Sequence, residues 1–325
     1  MKKIGTLLLC LCLLSACSLP GLGGSAKDNN IVVAGGNSTE RQILAEIVAQ
    51  MIGHYIEDSK PSVVNNLGST LLIVQTMERK DTNVSGAMYT GTSLTGELGL
   101  PITTDPVLAY QQVVKGYYDK YKMIWFPSYG FTNTYAFMVK RDFAEANQLR
   151  TVSDLKKVAD QVRVGVDTAW MSREGDGYLP FQELYGFSFK TMYPMEIGLV
   201  YNALQADEME VALGYSTDGR INAYDLVLLE DDLHLFPPYD ASPVLTQEIL
   251  ETYPELETVL LKLEGSITAE AMQELNRLSA EERLEANVVA QQFLEANHYF
   301  EEKSVVKLSE RPLYQDIMKG VKGDE

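Results

Sequence analysis

The chain has 325 residues, 46% of them hydrophobic and 22% charged, which is enough apolar material for a large core and argues against intrinsic disorder. Lys and Arg number 27 against 45 Asp and Glu, a formal net charge of −18. That excess argues against a nucleic-acid binder or a reader of anionic membranes, since both need a basic surface. All three cysteines, Cys10, Cys12 and Cys17, precede Ser18, so no disulfide framework, thiolate metal site or cysteine nucleophile is available downstream.

Residues 1–17 read MKKIGTLLLCLCLLSAC. Lys2 and Lys3 form a positive start, and Ile4 to Leu14 form an apolar run too short to span a bilayer but long enough for the core of a signal peptide. Leu14-Ser15-Ala16-Cys17 resembles the lipobox of bacterial lipoproteins. On that reading residues 1–16 are a signal peptide. Cys17 carries lipid and becomes the N-terminus, and 17–30 is a lipidated tether holding the protein outside the cytoplasm at the cell membrane. The alternative is a plain secretory signal with an incidental cysteine. Ser18 to Asn30, rich in Gly, Ser and polar residues, suits a flexible tether.

Beyond the tether, no second stretch is apolar enough to cross a membrane and no internal repeat is apparent. Ile31–Ala34 reads as a buried strand, and Thr39 and Gln42 have the spacing of a capping box opening a helix with Ile43, Ile47 and Met51 on one face. Further strands are expected at Val84–Met88, Met123–Phe126, Thr134–Val139, Val162–Val166, Val211–Tyr215 and Asp225–Leu229. Helices are expected near Leu71–Arg79, Pro106–Lys120, Val152–Val158, Phe181–Tyr185 and Glu196–Gln205. From Pro243 to about Tyr299 the pattern reads as helical throughout, with a second capping box at Ser279 and Glu282. The alternation predicts an α/β fold with mainly parallel sheets. Two aromatic, Pro-containing segments, Trp125–Gly130 and Leu235–Tyr239, are candidate crossings between two lobes. Lobe I is then 31–128 with 238–325, and lobe II is 129–237. Two crossings make a hinge, and clefts at such boundaries favour ligands.

The histidines, His54, His234 and His298, are scattered, with no metal-ligand spacing, and neither a nucleophile elbow nor a phosphate-binding glycine loop is present. The sequence therefore gives no positive sign of catalysis, of a metal or of a cofactor. Acidic runs such as Glu230-Asp231-Asp232 read as solvated faces.

Four tyrosines fall beside expected strands: Tyr89, Tyr135, Tyr215 and Tyr239. Ligands of open α/β sheets bind outside the carboxyl ends of strands, and aromatic faces there attract cations, quaternary ammonium groups above all. In a chain with 18 tyrosines, ordinary half-buried rings are the competing reading. Arg173, in a Gly-bearing loop before a helix, either clamps a carboxylate or pairs locally with Glu174 or Asp176.

Six segments together carry a resemblance: Gly35–Gln42 (GGNSTERQ), Tyr89–Thr92 (YTGT), Asn133–Ala136 (NTYA), Arg173–Tyr178 (REGDGY), Tyr215–Ile221 (YSTDGRI) and Asp231–Tyr239 (DDLHLFPPY). In order and spacing the chain resembles the substrate-binding lipoproteins of osmoprotectant ABC importers, which take up glycine betaine, carnitine, choline and related solutes. The resemblance implies a two-lobed periplasmic-binding-protein-like fold of type II, with hinged lobes and a ligand cleft between them. It implies a monomer, not an enzyme, that delivers a quaternary ammonium solute to permease and ATPase subunits. Tyr89, Tyr135, Tyr215 and Tyr239 would form the cage, while Thr92 and Arg173 match positions that engage a ligand carboxylate. Where the family usually offers Lys or Gln this chain has Gly36, so that a donor is lost or Asn37 supplies an amide. A threonine at 92 donates to a carboxylate where an acid would repel it, which favours a betaine-type zwitterion over choline. The alternatives are a choline-preferring receptor on the same fold, or an extracytoplasmic enzyme or adhesin on an α/β scaffold.

Overall fold

The computed structural model describes residues 30–322. The expected signal peptide, Cys17 and nearly all of the tether lie outside the described residues. Ten strands run through the described residues: β1 (Val32–Gly36), β2 (Ser62–Leu67), β3 (Val84–Tyr89), β4 (Met123–Trp125), β5 (Tyr135–Lys140), β6 (Arg163–Asp167), β7 (Thr191–Met195), β8 (Val211–Tyr215), β9 (Leu226–Leu228) and β10 (Ala241–Thr246). The helices that frame the site are α1 (Thr39–Tyr55), α2 (Thr70–Glu78), α3 (Pro106–Tyr121), α4 (Tyr178–Tyr185), α5 (Ile197–Gln205), α6 (Ala269–Ala280) and α7 (Ala286–Ala296).

The strands form two five-stranded sheets, ordered β2-β1-β3-β10-β4 and β7-β6-β8-β5-β9. The two orders are equivalent. Each sheet has three parallel strands, β2-β1-β3 or β7-β6-β8, joined by an antiparallel strand, β10 or β5, that pairs in turn with an antiparallel edge. By direction four of the five strands in each sheet run the same way, as the alternation predicts, and one, β10 or β5, runs against them, so the sheets are mixed. The reason is that β5 and β10 each follow a passage of the chain from one sheet to the other and enter from the opposite end.

Local chemistry explains the elements. β1 is buried along its whole length between two parallel neighbours, so it reads as a continuous apolar run with no alternation. Helix α1 buries Ile43, Leu44, Ile47, Val48, Met51 and Ile52 against the first sheet and packs on α7. Gly86 in β3 permits that approach, since a Cβ there would lie 2.4 Å from the Ala45 Cα. Asp105 caps α3 by accepting from the amides of Val107 and Leu108, with Pro106 at the first helical position.

Several expectations are corrected. The cap of α1 is Ser38, whose Oγ accepts from the Arg41 amide, so Thr39 and Gln42 are not the capping pair. Val152–Val158 is a short 3-10 turn, Ser153–Lys157, and not an α-helix. The stretch from Pro243 is not helical throughout, because Pro243 lies inside β10, where its carbonyl accepts from the Phe126 amide. Ser279 and Glu282 cap nothing. They stand at the end of α6, whose cap is Thr268, and the Ser279 hydroxyl donates to the Leu284 carbonyl. Strands β2 and β7 were not anticipated. Both are sheet edges without fully buried residues, and β7 contains Pro194, tolerable only at an edge or bulge.

Each sheet has its own core. One packs Val33, Ile43, Met88, Trp125, Tyr129, Phe131, Val244 and Leu294. The second packs Tyr135, Phe137, Val164, Trp170, Phe181, Leu213 and Phe236. Between them the chain passes twice, in segments that lie antiparallel: Thr132 bridges to Asp240, and the Asn133 amide donates to the Tyr239 carbonyl.

Candidate functional site

A cleft of about 1010 Å³ opens between the two sheets. Asn37, Tyr89, Thr92, Tyr135, Arg173, Tyr215 and Tyr239, the seven positions singled out from sequence, all line it. The mixed topology brings them together. Tyr89 and Tyr215 are the last residues of β3 and β8, at the carboxyl edge where α/β sheets offer ligand sites. Antiparallel β5 and β10 start at that same edge, with Tyr135 opposite Tyr215 and Ala241 opposite Tyr89. Residues at or just before the start of β5 and β10, Tyr135 and Tyr239, therefore face the same opening.

The phenol groups are anchored. Tyr89 donates to Glu40 Oε1 at 2.5 Å, and Tyr135 donates to Asp167 Oδ2 at 2.5 Å. Donation to a carboxylate holds each ring in place and enriches its π-face in electron density. Burial, reinforced by the Glu40 charge, raises the Tyr89 pKa well above the ordinary phenol value. Burial and then the Asp167 hydrogen bond do the same for Tyr135, and burial raises Tyr215. Tyr239 is pushed up to about 12, chiefly by burial against the opposing charge of Arg173. All four rings are neutral at pH 7. Tyr135 and Tyr215 have ring centroids 5.1 Å apart at 37°, leaving Tyr215 39% exposed toward the cleft.

Arg173 follows a 3-10 turn after β6, with Gly177 behind it, where a Cβ would lie 2.3 Å from the Arg173 carbonyl oxygen. Its Nε donates to Asp176 Oδ1 at 2.6 Å and its Nη2 to Asp176 Oδ2 at 2.8 Å. Nη2 also donates to the Tyr239 hydroxyl at 2.7 Å, and Cζ stands 5.4 Å from the Tyr135 ring centre. Arg173 thus pairs locally with Asp176 and at the same time lines the cleft. Asn37 is exposed in the turn between β1 and α1, and Thr92 is half-buried.

Sequence reasoning missed Glu40, Arg41, Asn133, Asp167 and Asn276. Glu40 is 3% exposed and accepts from Tyr89, from Asn133 Nδ2 at 2.8 Å and, through Oε2, from Asn276 Nδ2 at 3.2 Å. It ties α1, β3, the passage between sheets and α6 to one carboxylate. A signal existed: Glu40 lies on the stripe of Ile43, Leu44 and Ile47, where an acid is out of place unless partnered. Among the described residues no cluster of three or more His, Cys, Asp or Glu is placed to hold a metal.

The family model for the substrate-binding domain of ABC-type glycine betaine transport systems matches residues 29–296. The chain belongs to this family. Within this glycine betaine transport family it is 49% identical over 291 residues to the carnitine transport binding protein OpuCC of Listeria monocytogenes, covering 90% of this chain and 94% of that one. It is 31% identical over 308 residues to a glycine-betaine-binding protein of Pseudomonas aeruginosa, covering 90% and 95%. Among solved structures, one described as a glycine betaine/carnitine/choline ABC transporter superposes with a TM-score of 0.82 at 45% identity, covering 84% of this chain and all of that one. The fold is that of the periplasmic-binding-protein-like members of the family, α/β with two sheets. Relatives of this kind are the solute-binding proteins of transporters.

Proposed function

We propose that the protein captures a zwitterionic quaternary ammonium solute, of the carnitine or glycine betaine type, and delivers it to the permease of an ABC importer. The observation that carries this reading is the convergence of Tyr89, Tyr135, Tyr215 and Tyr239 on one cleft, lined also by Arg173 and Thr92. A trimethylammonium has no N–H to donate, so recognition falls to shape and ring faces. Each cation–π contact contributes roughly 0.5–2 kcal/mol. Several rings plus a charge-assisted carboxylate contact reach the roughly −8 kcal/mol of a micromolar complex. Arg41, a cleft cation that makes no ion pair among the described residues, favours a zwitterion over choline. The carnitine name of the 49% identical Listeria protein points the same way.

In this reading residues 31–128 with 238–325 and residues 129–237 are lobes that close over the solute, bending where Thr132 and Asp240 lie side by side. A cleft of about 1010 Å³ is far larger than one such solute, as an open form requires. Lipid on Cys17 would keep the monomeric receptor at the outer face of the membrane beside its permease. Isothermal titration of the purified protein with carnitine, glycine betaine and choline tests the reading. Saturable binding of the carboxylate-bearing solutes, tighter than choline, is expected. Absence of binding to all three would overturn it.

A further inference from the structure

Three arginines line the cleft: Arg41, Arg173 and Arg220. Two of them are already committed. Arg173 is bidentate to Asp176. Arg220 is bidentate to Asp218 at 2.8 Å through both Nε and Nη2, and its Nη1 donates to the Gly198 carbonyl at 2.6 Å. Arg41 differs. Its Nη2 donates to a neutral group, the Thr70 hydroxyl, at 2.8 Å, and it makes no ion pair among the described residues. The neighbouring acid, Glu40, is turned away to Tyr89, Asn133 and Asn276. Arg41 is half-buried in the first turn of α1, with Cζ 4.9 Å from the centre of the Tyr89 ring.

Gly36 makes this posture possible. A Cβ at position 36 would lie 2.3 Å from Arg41 Cδ and 2.9 Å from Arg41 Cβ, so the aliphatic stem of Arg41 fills the space a side chain at 36 would take. Arg41 thus sets a guanidinium donor beside the place where a side chain at 36 would stand. A half-buried guanidinium that makes no ion pair among the described residues, on which the Glu97 charge acts only through space, stands beside a cage ring in the same cleft as Thr92 and is free to pair with an anion.

Resting on the proposed capture of a quaternary ammonium zwitterion, we infer that Arg41 takes the carboxylate of the ligand. The trimethylammonium end then lies toward Tyr135 and Tyr215. Arg41 is thereby the residue that discriminates carboxylate-bearing solutes from choline, which offers no anion and is repelled by the guanidinium. Arg173, paired with Asp176, also braces Tyr239 and Tyr135.

Glycine betaine and choline form a matched pair for the test, since both carry the trimethylammonium and only the first a carboxylate. Both are titrated calorimetrically into wild type, Arg41→Gln and Arg41→Lys, with thermal unfolding recorded for each protein. Arg41→Gln is expected to weaken glycine betaine at least tenfold and to leave choline unchanged or tightened. Arg41→Lys, which keeps the charge and a donor for Thr70 but not the fork, moves the ratio in the same direction by less. An unchanged ratio of the two affinities in both variants, or equal losses for both ligands, would overturn the assignment. A wild type that binds neither ligand instead defeats the functional reading itself, before any variant is compared.

Discussion

Tyr135 and Tyr215 are paired residues of the β5–β8 ladder, and their rings stand 5.1 Å apart at the mouth of the cleft. The pair is fixed by register, so a cationic ligand meets a preformed wall and not two independent rotamers. Replacing Tyr215 by Ala is expected to weaken binding of carnitine or glycine betaine tenfold or more, about 1.4 kcal/mol, through loss of the ring face. Tyr215→Phe keeps that face and costs less. Titration of both variants with either solute checks this, and wild-type affinity in a folded Tyr215→Ala would remove Tyr215 from the cage.

Tyr135 behaves differently because its hydroxyl serves a buried carboxylate. Tyr135→Phe keeps the ring but leaves Asp167 Oδ2 without its donor, in a residue only 7% exposed. An orphaned buried acceptor costs about 1–3 kcal/mol, so Tyr135→Phe lowers stability more than Tyr215→Phe, which gives up only its contact with the Tyr135 hydroxyl. Urea unfolding of the two Phe variants measures the contrast. Equal midpoints would mean the Tyr135–Asp167 bond carries no structural load.

Arg173→Ala should damage more than ligand binding. Asp176 is 1% exposed and loses its cationic partner, and stripping one member of a buried pair costs about 3–5 kcal/mol. The Arg173 side chain is 35% exposed, which places the loss at the lower end. Arg173→Ala with Asp176→Ala removes the stranded charge, so the double variant is expected to be more stable than Arg173→Ala alone. A double-mutant cycle by denaturant unfolding reads the coupling, and strictly additive losses would refute it.

Binding is expected to be flat across neutral pH. Tyr239 is held up to about 12, and the other three phenols are raised as well, so no ring ionises near pH 7. A phenolate would add negative charge beside the ammonium and tighten binding only as the pH approaches 12. The sign for stability is opposite. A raised phenol pKa contributes stability that is complete below the unfolded value near 10 and is lost as pH rises through 12. Affinity for glycine betaine constant to about twofold between pH 6 and 9 is the expected titration result. A rise of tenfold within that window would show that an ionisable group of lower pKa contacts the ligand.

The sequence made the strand-bound part of the site legible and left the supporting layer dark. Tyr89 and Tyr215 end apolar runs, and that position alone marks a carboxyl edge. Tyr135 and Tyr239 reach the same edge because β5 and β10 are antiparallel, a fact of topology that no local pattern encodes. The helical reading of the stretch from Pro243 failed for a related reason. β10 is held between β3 and β4, and pairing across the sheet outweighs the helical pattern of the residues that follow. Arg41 was invisible because its role depends on the absence of a side chain at Gly36, which becomes informative only once the two are seen in contact.

The most direct test of the central claim is a crystal structure of the protein with carnitine bound. The account predicts one carnitine in the cleft, its trimethylammonium carbons within about 6 Å of the ring centres of Tyr135 and Tyr215, with Tyr89 and Tyr239 completing the enclosure. It predicts the two sheets drawn together about Thr132 and Asp240. A carnitine whose ammonium lies away from these rings, or a cleft that stays open and empty at saturating carnitine, would contradict it.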